Sequence, residues 1–319
     1  MDDSDTILTI YPPSGLGRSN AIDSINRNAD RPGYVQGKQV EQVASYGSAD
    51  IAPSRPTTPE GRTLDDDPSY RVTFSSGTKT RMGFVVGSHP QCDFVVVSDG
   101  SVSAYHLAFQ FDEEYRLVVK DLSSTRGTFV AYGEDKAAYG ENKAGLRVGT
   151  GCILGGCRFT DDKAIVVNLA DYSQLLIKIP RRDISSPEYR NKVDRFRQGT
   201  NASPEALLVR DLQIKSRVAT AQPSNAATPL KERDMKILVS HLGQGNFATV
   251  SHYWNAETGK EFVEKTPRNL DDYARRVWEE EANILRQIRH VSPERYPRGL
   301  PDGCWVADHE NAETHRRAF

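Results

Sequence analysis

Short apolar runs rich in β-branched and aromatic residues follow one another from Tyr70 to Pro180. Gly, Asp and Ser residues separate these runs at nearly regular spacing. Many short strands punctuated in this way are typical of a β-sandwich, so we assign residues 68–180 to a mainly β domain. The runs predicted to be strands are YRVTF, GFVVG, DFVVV, HLAFQF, YRLVV, GTFVAY, CILGG, AIVVNL and LLIKI.

The segments on either side of this region are polar. Residues 1–67 are rich in Ser, Pro, Gly, Asp and Asn, and apolar runs such as TILTIY are isolated within them. This composition predicts a disordered N-terminal tail, because too little apolar surface is available to offset the entropy of ordering. Residues 181–234 form a predicted linker, in which SSPEYRNKVDRFRQ and SPEALLVRDLQIKSRV each begin a short helix with Ser-Pro.

A last folded unit is predicted over residues 235–290. The apolar run MKILVSHL precedes a glycine-rich turn, and SHYWNAETGKEFVEK then indicates two strands joined at Glu257–Gly259. The segment DYARRVWEEEANILRQIRH has helical periodicity. The pattern fades after Val291, so residues 291–319 are predicted to be an irregular tail.

Composition and charge restrict the possible functions. The chain has 319 residues, with 41 basic and 43 acidic side chains, so its overall charge does not favour nucleic-acid binding. It contains neither a run of about 18 apolar residues nor a signal peptide, so we expect no membrane partner. The four cysteines form no CxxC pair, which favours reduced thiols. Cys152 and Cys157 either pack in the interior or share a metal, and the absence of a second ligand pair favours packing.

Two loop sequences resemble the forkhead-associated (FHA) domain family. GSVSAYHLAF aligns Ser103 and His106 with the family's Ser-x-x-His motif, and DLSSTRGTFV, which begins at Asp121, aligns with its Asp-Leu-x-Ser-x-Asn-Gly-Thr-Phe-Val motif. Gly87 falls on the glycine of the family's Gly-Arg motif. The resemblance implies a β-sandwich that binds phosphothreonine peptides at its loop end.

The resemblance also suggests which residues recognise phosphate. A phosphothreonine carries about −1.5 to −2 charges and three acceptor oxygens, so hydroxyl and amide donors from Ser103 and Thr125 suit it. His106 is expected to hold its loop from inside. The chain departs from the family at Ser88, which replaces the arginine, and at Arg126, which replaces the asparagine. Either Arg126 supplies the missing charge and phosphate binding survives, or the sandwich has kept its fold and lost phosphate binding.

The unit after the linker resembles the start of a Ser/Thr protein kinase domain. A glycine loop, a strand lysine and a helical glutamate occur in the family's order and spacing. The family's glycine loop covers the phosphates of ATP, and its lysine pairs with the glutamate. The ATP-binding residues implied by this resemblance are Leu242, Gly243, Gly245, Val250, Lys265 and Glu281.

The motifs for phosphoryl transfer are missing from this sequence. Neither HRD-x-x-x-x-N nor DFG occurs in it, although protein kinases use these residues to accept the hydroxyl proton and to hold Mg²⁺. We therefore expect no catalysis, weak or absent ATP binding, and a role for Mg²⁺ only if a longer chain exists. A truncated gene product or an incomplete gene model fits this pattern.

Two functions remain open from the sequence. The first is a Ser/Thr kinase family member whose FHA domain recognises phosphothreonine proteins, which resembles the FHA-containing checkpoint kinases. The second is a non-catalytic FHA adaptor or a degenerate FHA scaffold. Both imply protein partners rather than nucleic acid, possible self-association through the FHA domain, and a location in the nucleus or cytoplasm.

Overall fold

The structure, a computed structural model, describes residues 3–15, 17–38, 64–133, 143–146, 151–170, 172–199, 235–245 and 248–268, and the backbone of 305–308. The strands are β1 (Thr6–Tyr11), β2 (Tyr34–Val35), β3 (Ser69–Thr73), β4 (Phe84–Gly87), β5 (Phe94–Val95), β6 (Leu107–Phe111), β7 (Leu117–Asp121), β8 (Phe129–Tyr132), β9 (Lys143–Gly145), β10 (Gly151–Gly155), β11 (Ile165–Ala170), β12 (Ser173–Lys178), β13 (Lys236–Gln244), β14 (Ala248–Asn255), β15 (Glu261–Pro267) and β16 (Trp305–Asp308). The helices are α1 (Arg18–Asn26) and α2 (Pro187–Gln198), with short 3₁₀ turns at Asp3–Asp5 and Leu64–Asp66.

Two sheets form the β-sandwich. One has seven strands in the order β2-β3-β1-β12-β11-β8-β9, and the other has five in the order β10-β7-β6-β4-β5. Side chains from both sheets, among them Leu8, Phe109 and Ile165, are almost completely buried in a common core. Each of the nine predicted runs contains a strand, so the predicted β-sandwich is confirmed.

The N-terminal segment is part of this sandwich. β1 lies between β3 and β12 and pairs antiparallel with both, and Leu8 and Ile10 are fully buried. The prediction of a disordered tail over residues 1–67 is therefore wrong for its described residues, which are 3–15, 17–38 and 64–67. A single six-residue strand can join a sheet whose other strands come from later in the chain. The polar composition of the whole segment therefore did not indicate that this strand would be ordered. Residues 39–63 lie outside the described residues.

Helix α2 covers one end of the sandwich. It begins with Pro187 after the N-cap Ser186, as the Ser-Pro pattern predicts. Tyr189 and Phe196 pack edge-on against Phe111, with ring centroids 6.2 and 5.4 Å apart. This half of the predicted linker thus belongs to the folded domain, and the second predicted helix lies outside the described residues.

Strands β13 to β16 form a separate four-stranded sheet. β13, β14 and β15 are the strands predicted from the glycine-rich region, and β14 and β15 are paired without a register shift. β16 pairs antiparallel with β15, so the prediction of an irregular tail over residues 291–319 is wrong at Trp305–Asp308. The apolar run there is too short to give a periodic signal, but the free edge of β15 supplies backbone partners for it.

The four-stranded sheet shares a core with the sandwich. Trp254 on β14 is 1% exposed, stacks on Phe159 with ring centroids 4.2 Å apart, and meets Tyr132 edge-on at 5.2 Å. The backbone N–H of Ile153 on β10 donates to the carbonyl of Ala256 at 2.8 Å. The two sheets of the sandwich and the β14–β15 hairpin are therefore joined by buried contacts.

No helix within the described segments is both long and apolar enough to cross a lipid bilayer.

Candidate functional site

Two loops meet at one end of the sandwich. We call residues 96–106, between β5 and β6, the Ser103 loop, and residues 122–128, between β7 and β8, the Thr125 loop. The backbone N–H of Thr125 donates to the hydroxyl oxygen of Ser103 at 3.0 Å, and the two hydroxyl oxygens are 3.4 Å apart. Ser103 accepts from this amide, and either hydroxyl can donate in the contact between the two. Thr125 is exposed and Ser103 is half-buried, so both hydroxyls can be reached from solvent.

His106 connects the two loops from inside. The backbone N–H of Ser103 donates to its Nδ1 at 3.2 Å, so Nδ1 carries no proton. Nε2 then holds the ring proton and donates to the carbonyl of Gly127 at 3.3 Å. Burial lowers the pKa of His106, although the nearby Asp121 carboxylate opposes this effect. The imidazole is therefore a neutral, buried bridge, which is the structural role expected from the sequence.

Asp121 shapes the Thr125 loop. Its carboxylate accepts hydrogen bonds from the backbone N–H of Ser124 at 2.8 Å and from the Ser124 hydroxyl at 2.6 Å. It also accepts from the Thr128 hydroxyl at 2.6 Å. Gly127 has φ 76°, a left-handed conformation that favours glycine. The residues of the Asp-Leu-x-Ser motif thus fold the loop that presents Thr125.

Ser88 braces the Ser103 loop. Its hydroxyl donates to the carbonyl of Val102 at 3.0 Å, and its backbone N–H donates to the carbonyl of Ser103 at 3.1 Å. A Cβ on the preceding Gly87 would lie 2.3 Å from the carbonyl oxygen of Ala104, so the close approach of these chains requires glycine. Ser88, predicted as a phosphopeptide-binding residue, is placed beside Ser103 with its proton directed at the backbone.

Arg126 provides positive charge beside the two hydroxyls. It is exposed and follows Thr125 in the chain. Hydrogen bonds from Ser101 lower the pKa of Asp99, and the charge of Arg126 adds to this lowering. The field of Arg126 therefore reaches across to the Ser103 loop. The four predicted phosphopeptide-binding residues, Ser88, Ser103, Thr125 and Arg126, lie on the strand ends and loops of this one region.

The residues predicted to bind ATP lie on the β13–β15 sheet. Gly243 pairs with Val250, and Val250 pairs with Lys265, so the side chains of Val250 and Lys265 lie on the same face. Leu242 is 42% exposed. The backbone N–H of Gly245 donates to the carbonyl of Ala248 at 2.9 Å, which closes the glycine turn. An open cavity at this turn is lined by His241, Leu242, Gly243, Gln244 and Thr249.

Glu281, the predicted partner of Lys265, lies outside the described residues. The buried glutamate that the structure does describe is Glu264, which forms an ion pair with Lys236. Glu264 pairs with Ser251 on the face opposite to Lys265. Sequence reasoning missed this pair, since Glu264 shows only as a charged residue before the expected lysine. Among the described residues, no group of three or more His, Cys, Asp or Glu side chains is arranged to hold a metal.

The comparison with protein families identifies the domain that carries the two loops. Residues 84–149 match the model of the FHA domain. The chain contains an FHA domain. The match runs from β4 to beyond β9 and includes both loops, so the likeness of the loop sequences to this family is confirmed. β1, α1, β3 and β10–β12 complete the FHA sandwich outside the matched residues.

The comparison with solved structures matches the crystal structure of Rad53 1-466 in complex with AMP-PNP, at 17% identity and a TM-score of 0.32. The similarity covers 70% of this chain and 45% of that chain, so this chain spans less than half of that protein's length. No curated protein matches the sequence significantly.

Proposed function

We propose that this protein recognises phosphothreonine-containing proteins through the loop end of its FHA domain. The convergence of Ser103 and Thr125 carries the proposal, because two hydroxyls from different loops lie 3.4 Å apart by their oxygens at an accessible surface. Hydroxyl and cationic donors match the three acceptor oxygens of a phosphate. In this role Ser103 and Thr125 donate hydrogen bonds to the phosphate, and Arg126 contributes charge.

Arg126 takes over the electrostatic part of an arginine that the family carries at the position of Ser88. Its guanidinium offers a planar fork of donors that suits phosphate oxygens. A hydrogen bond to a charged group is worth about 1.5–3 kcal/mol, so one such bond supports about ten- to a hundredfold in affinity. In this proposal the positive charge that recognises the phosphate lies on the Thr125 loop rather than at the end of β4.

A direct titration tests this function. An oriented pool of labelled peptides, each with one phosphothreonine among varied neighbours, is titrated against the full chain, with the matching unphosphorylated pool as reference. We expect the phosphorylated pool to bind at least about tenfold more tightly, and Arg126→Ala to reduce this preference. Arg195→Ala, on helix α2, is the matched control. Equal affinity for both pools would refute phosphate recognition.

The alternative is a degenerate FHA scaffold that binds partners without phosphate. The observation that favours it is the Ser88 hydroxyl, which donates to the Val102 carbonyl where a charged donor would be needed. In that case both peptide pools bind equally, and Arg126→Ala has no effect. The same titration therefore separates the two functions.

We also propose that residues 235–268 derive from the ATP-binding half of a Ser/Thr kinase domain. We propose that the protein is located in the nucleus or cytoplasm. The shared face of Val250 and Lys265 beside the glycine turn supports the derivation from a kinase domain. Calorimetry with Mg-ATP is expected to give binding weaker than about millimolar, since the motifs that hold Mg²⁺ are absent from this sequence. Micromolar binding that is lost in Lys265→Ala would instead support a working nucleotide site.

A further inference from the structure

The region around helix α1 is bonded to the strand that leads into the Ser103 loop. β5 is the edge strand of the five-stranded sheet, and β4 pairs with only one of its sides. On the other side, the side chain of Asn28 donates from Nδ2 to the carbonyl of Val95 at 2.9 Å. Its Oδ1 accepts the backbone N–H of Val95 at 3.0 Å. Asn28 thus takes the place of a neighbouring strand at this position, and it is fully buried.

Two further side chains extend this contact along the same backbone. The hydroxyl oxygen of Ser24 accepts the backbone N–H of Val97 at 2.9 Å, and the hydroxyl donates to the carbonyl of Asn20 at 2.6 Å. The guanidinium of Arg31 donates to the carbonyl of Cys92 at 2.8 Å and also bonds the carbonyl of Asp93. These bonds lie on both sides of β5 in sequence.

We propose that Asn28, with Ser24 and Arg31, positions the Ser103 loop for phosphopeptide binding. This inference rests on the proposed function of that loop. Ser103 follows Val97 by a few residues, so the bond from Val97 to Ser24 fixes the entry of the loop, while His106 fixes its exit. A loop held at both ends loses less conformational entropy when it binds a ligand. The phosphopeptide-binding module of this chain therefore begins before the residues that match the family model.

The residues on α1 and just after its end support a positioning role. Ala21 and Ile25 already bury the apolar side of the helix against the core. Burial of the helix therefore needs no polar side chain. Ser24 and Asn28 are nevertheless buried, and their side chains bond alternate residues of the β5 region. Each satisfies backbone groups that an edge strand leaves unpaired.

The test compares Asn28→Ala and Ser24→Ala with Asn20→Ala in the full chain. Asn20 lies on the same helix as Ser24, but its side chain donates to the carbonyl of Tyr172 and not to the β5 region. Two quantities are measured: affinity for the phosphothreonine peptide pool described above, and amide hydrogen exchange over residues 98–106. Those amides are not bonded to Asn28 or Ser24 in the contacts described here, so their exchange reports on the loop itself.

We expect both test variants to weaken peptide binding about three- to tenfold and to accelerate exchange of the Ser103 loop, while Asn20→Ala does neither. Unchanged exchange over residues 98–106 in Ser24→Ala and Asn28→Ala would overturn the proposal. Ser24→Ala guards against a folding defect, since it removes a single hydroxyl. If the unaltered chain shows no preference for phosphothreonine, the proposed function fails, and the exchange measurement alone decides whether Ser24 and Asn28 position the loop.

Discussion

The backbone amide of Thr125 and the side-chain oxygen of Ser103 are joined by a 3.0 Å hydrogen bond between two loops that are far apart in the sequence. This bond uses one lone pair of the Ser103 hydroxyl, and the Thr125 hydroxyl lies beside it at 3.4 Å between oxygens. His106 holds the same two loops together one layer deeper, through Ser103 and Gly127. The loop end of the FHA domain is therefore arranged before any ligand arrives.

Replacement of Ser103 by alanine removes the proposed phosphate donor and the acceptor for the Thr125 amide. We expect Ser103→Ala to weaken phosphothreonine-peptide binding about ten- to a hundredfold, since a hydrogen bond to a charged group is lost. Calorimetric titration measures the change. Ser185→Ala, at an exposed serine after β12, is the control and should bind as the unaltered chain does. An unchanged affinity in Ser103→Ala would show that the phosphate does not sit at this serine.

Introduction of an arginine at Ser88 should strengthen the site. Ser88→Arg adds a charged donor beside Ser103, at the cost of the Ser88 bond to the Val102 carbonyl. We expect about a tenfold gain in affinity for phosphothreonine peptides and a steeper loss of binding with salt, because surface charges are screened. Ser88→Gln, which has a long polar side chain without charge, should give no gain. An equal response of both variants would contradict the electrostatic explanation.

The buried His106 makes folding stability dependent on pH. Because burial lowers its pKa in the folded state, the unfolded chain takes up the proton first when the pH falls below the ordinary value of about 6.5. Stability from this group is therefore complete above that value and is lost as the pH falls. We expect the thermal midpoint of the unaltered chain to fall relative to that of His106→Gln between about pH 7.5 and about pH 5.5.

Asp93 makes folding stability depend on pH in the opposite direction. Burial raises the pKa of its carboxyl group to about 6, so its folded state binds a proton more readily than its unfolded state. Its contribution increases as the pH falls through that value. The contribution is common to the unaltered chain and to His106→Gln, so the difference between the two pH curves reports on His106. Parallel curves would show that His106 binds protons equally in the folded and unfolded states over this pH range.

Trp254 should be as important to the sandwich as to its own hairpin. Trp254→Ala removes a buried ring that packs against both Phe159 and Tyr132, and such a change costs about 3–5 kcal/mol of unfolding free energy. Urea unfolding followed by circular dichroism measures this loss. Tyr172→Ala, at a side chain that is 61% exposed, should change stability by less than about 0.5 kcal/mol. A sandwich transition unaffected by Trp254→Ala would mean that the hairpin folds apart from it.

The local pattern of the sequence predicts most of the β-sandwich and the residues at its loop end. Runs such as HLAFQF and AIVVNL carry enough β-branched and aromatic residues to identify strands, and the motifs that contain Ser103 and Thr125 fix the loops between them. What the sequence does not reveal depends on distant partners. Thr6–Tyr11 becomes a strand because β3 and β12 flank it. Asn28 has no local signature, since its importance comes from the unpaired edge of β5.

Trp254 also packs the four-stranded sheet directly against the FHA sandwich. In the regular β14–β15 pairing, Trp254 lies on the same face as Val250 and Lys265. The hairpin that carries the glycine turn is therefore attached to the FHA sandwich by a ring stacked on Phe159. A shorter protein that ends at Gly199 would leave Tyr132 and Phe159 facing water, and we expect it to self-associate through that uncovered aromatic surface.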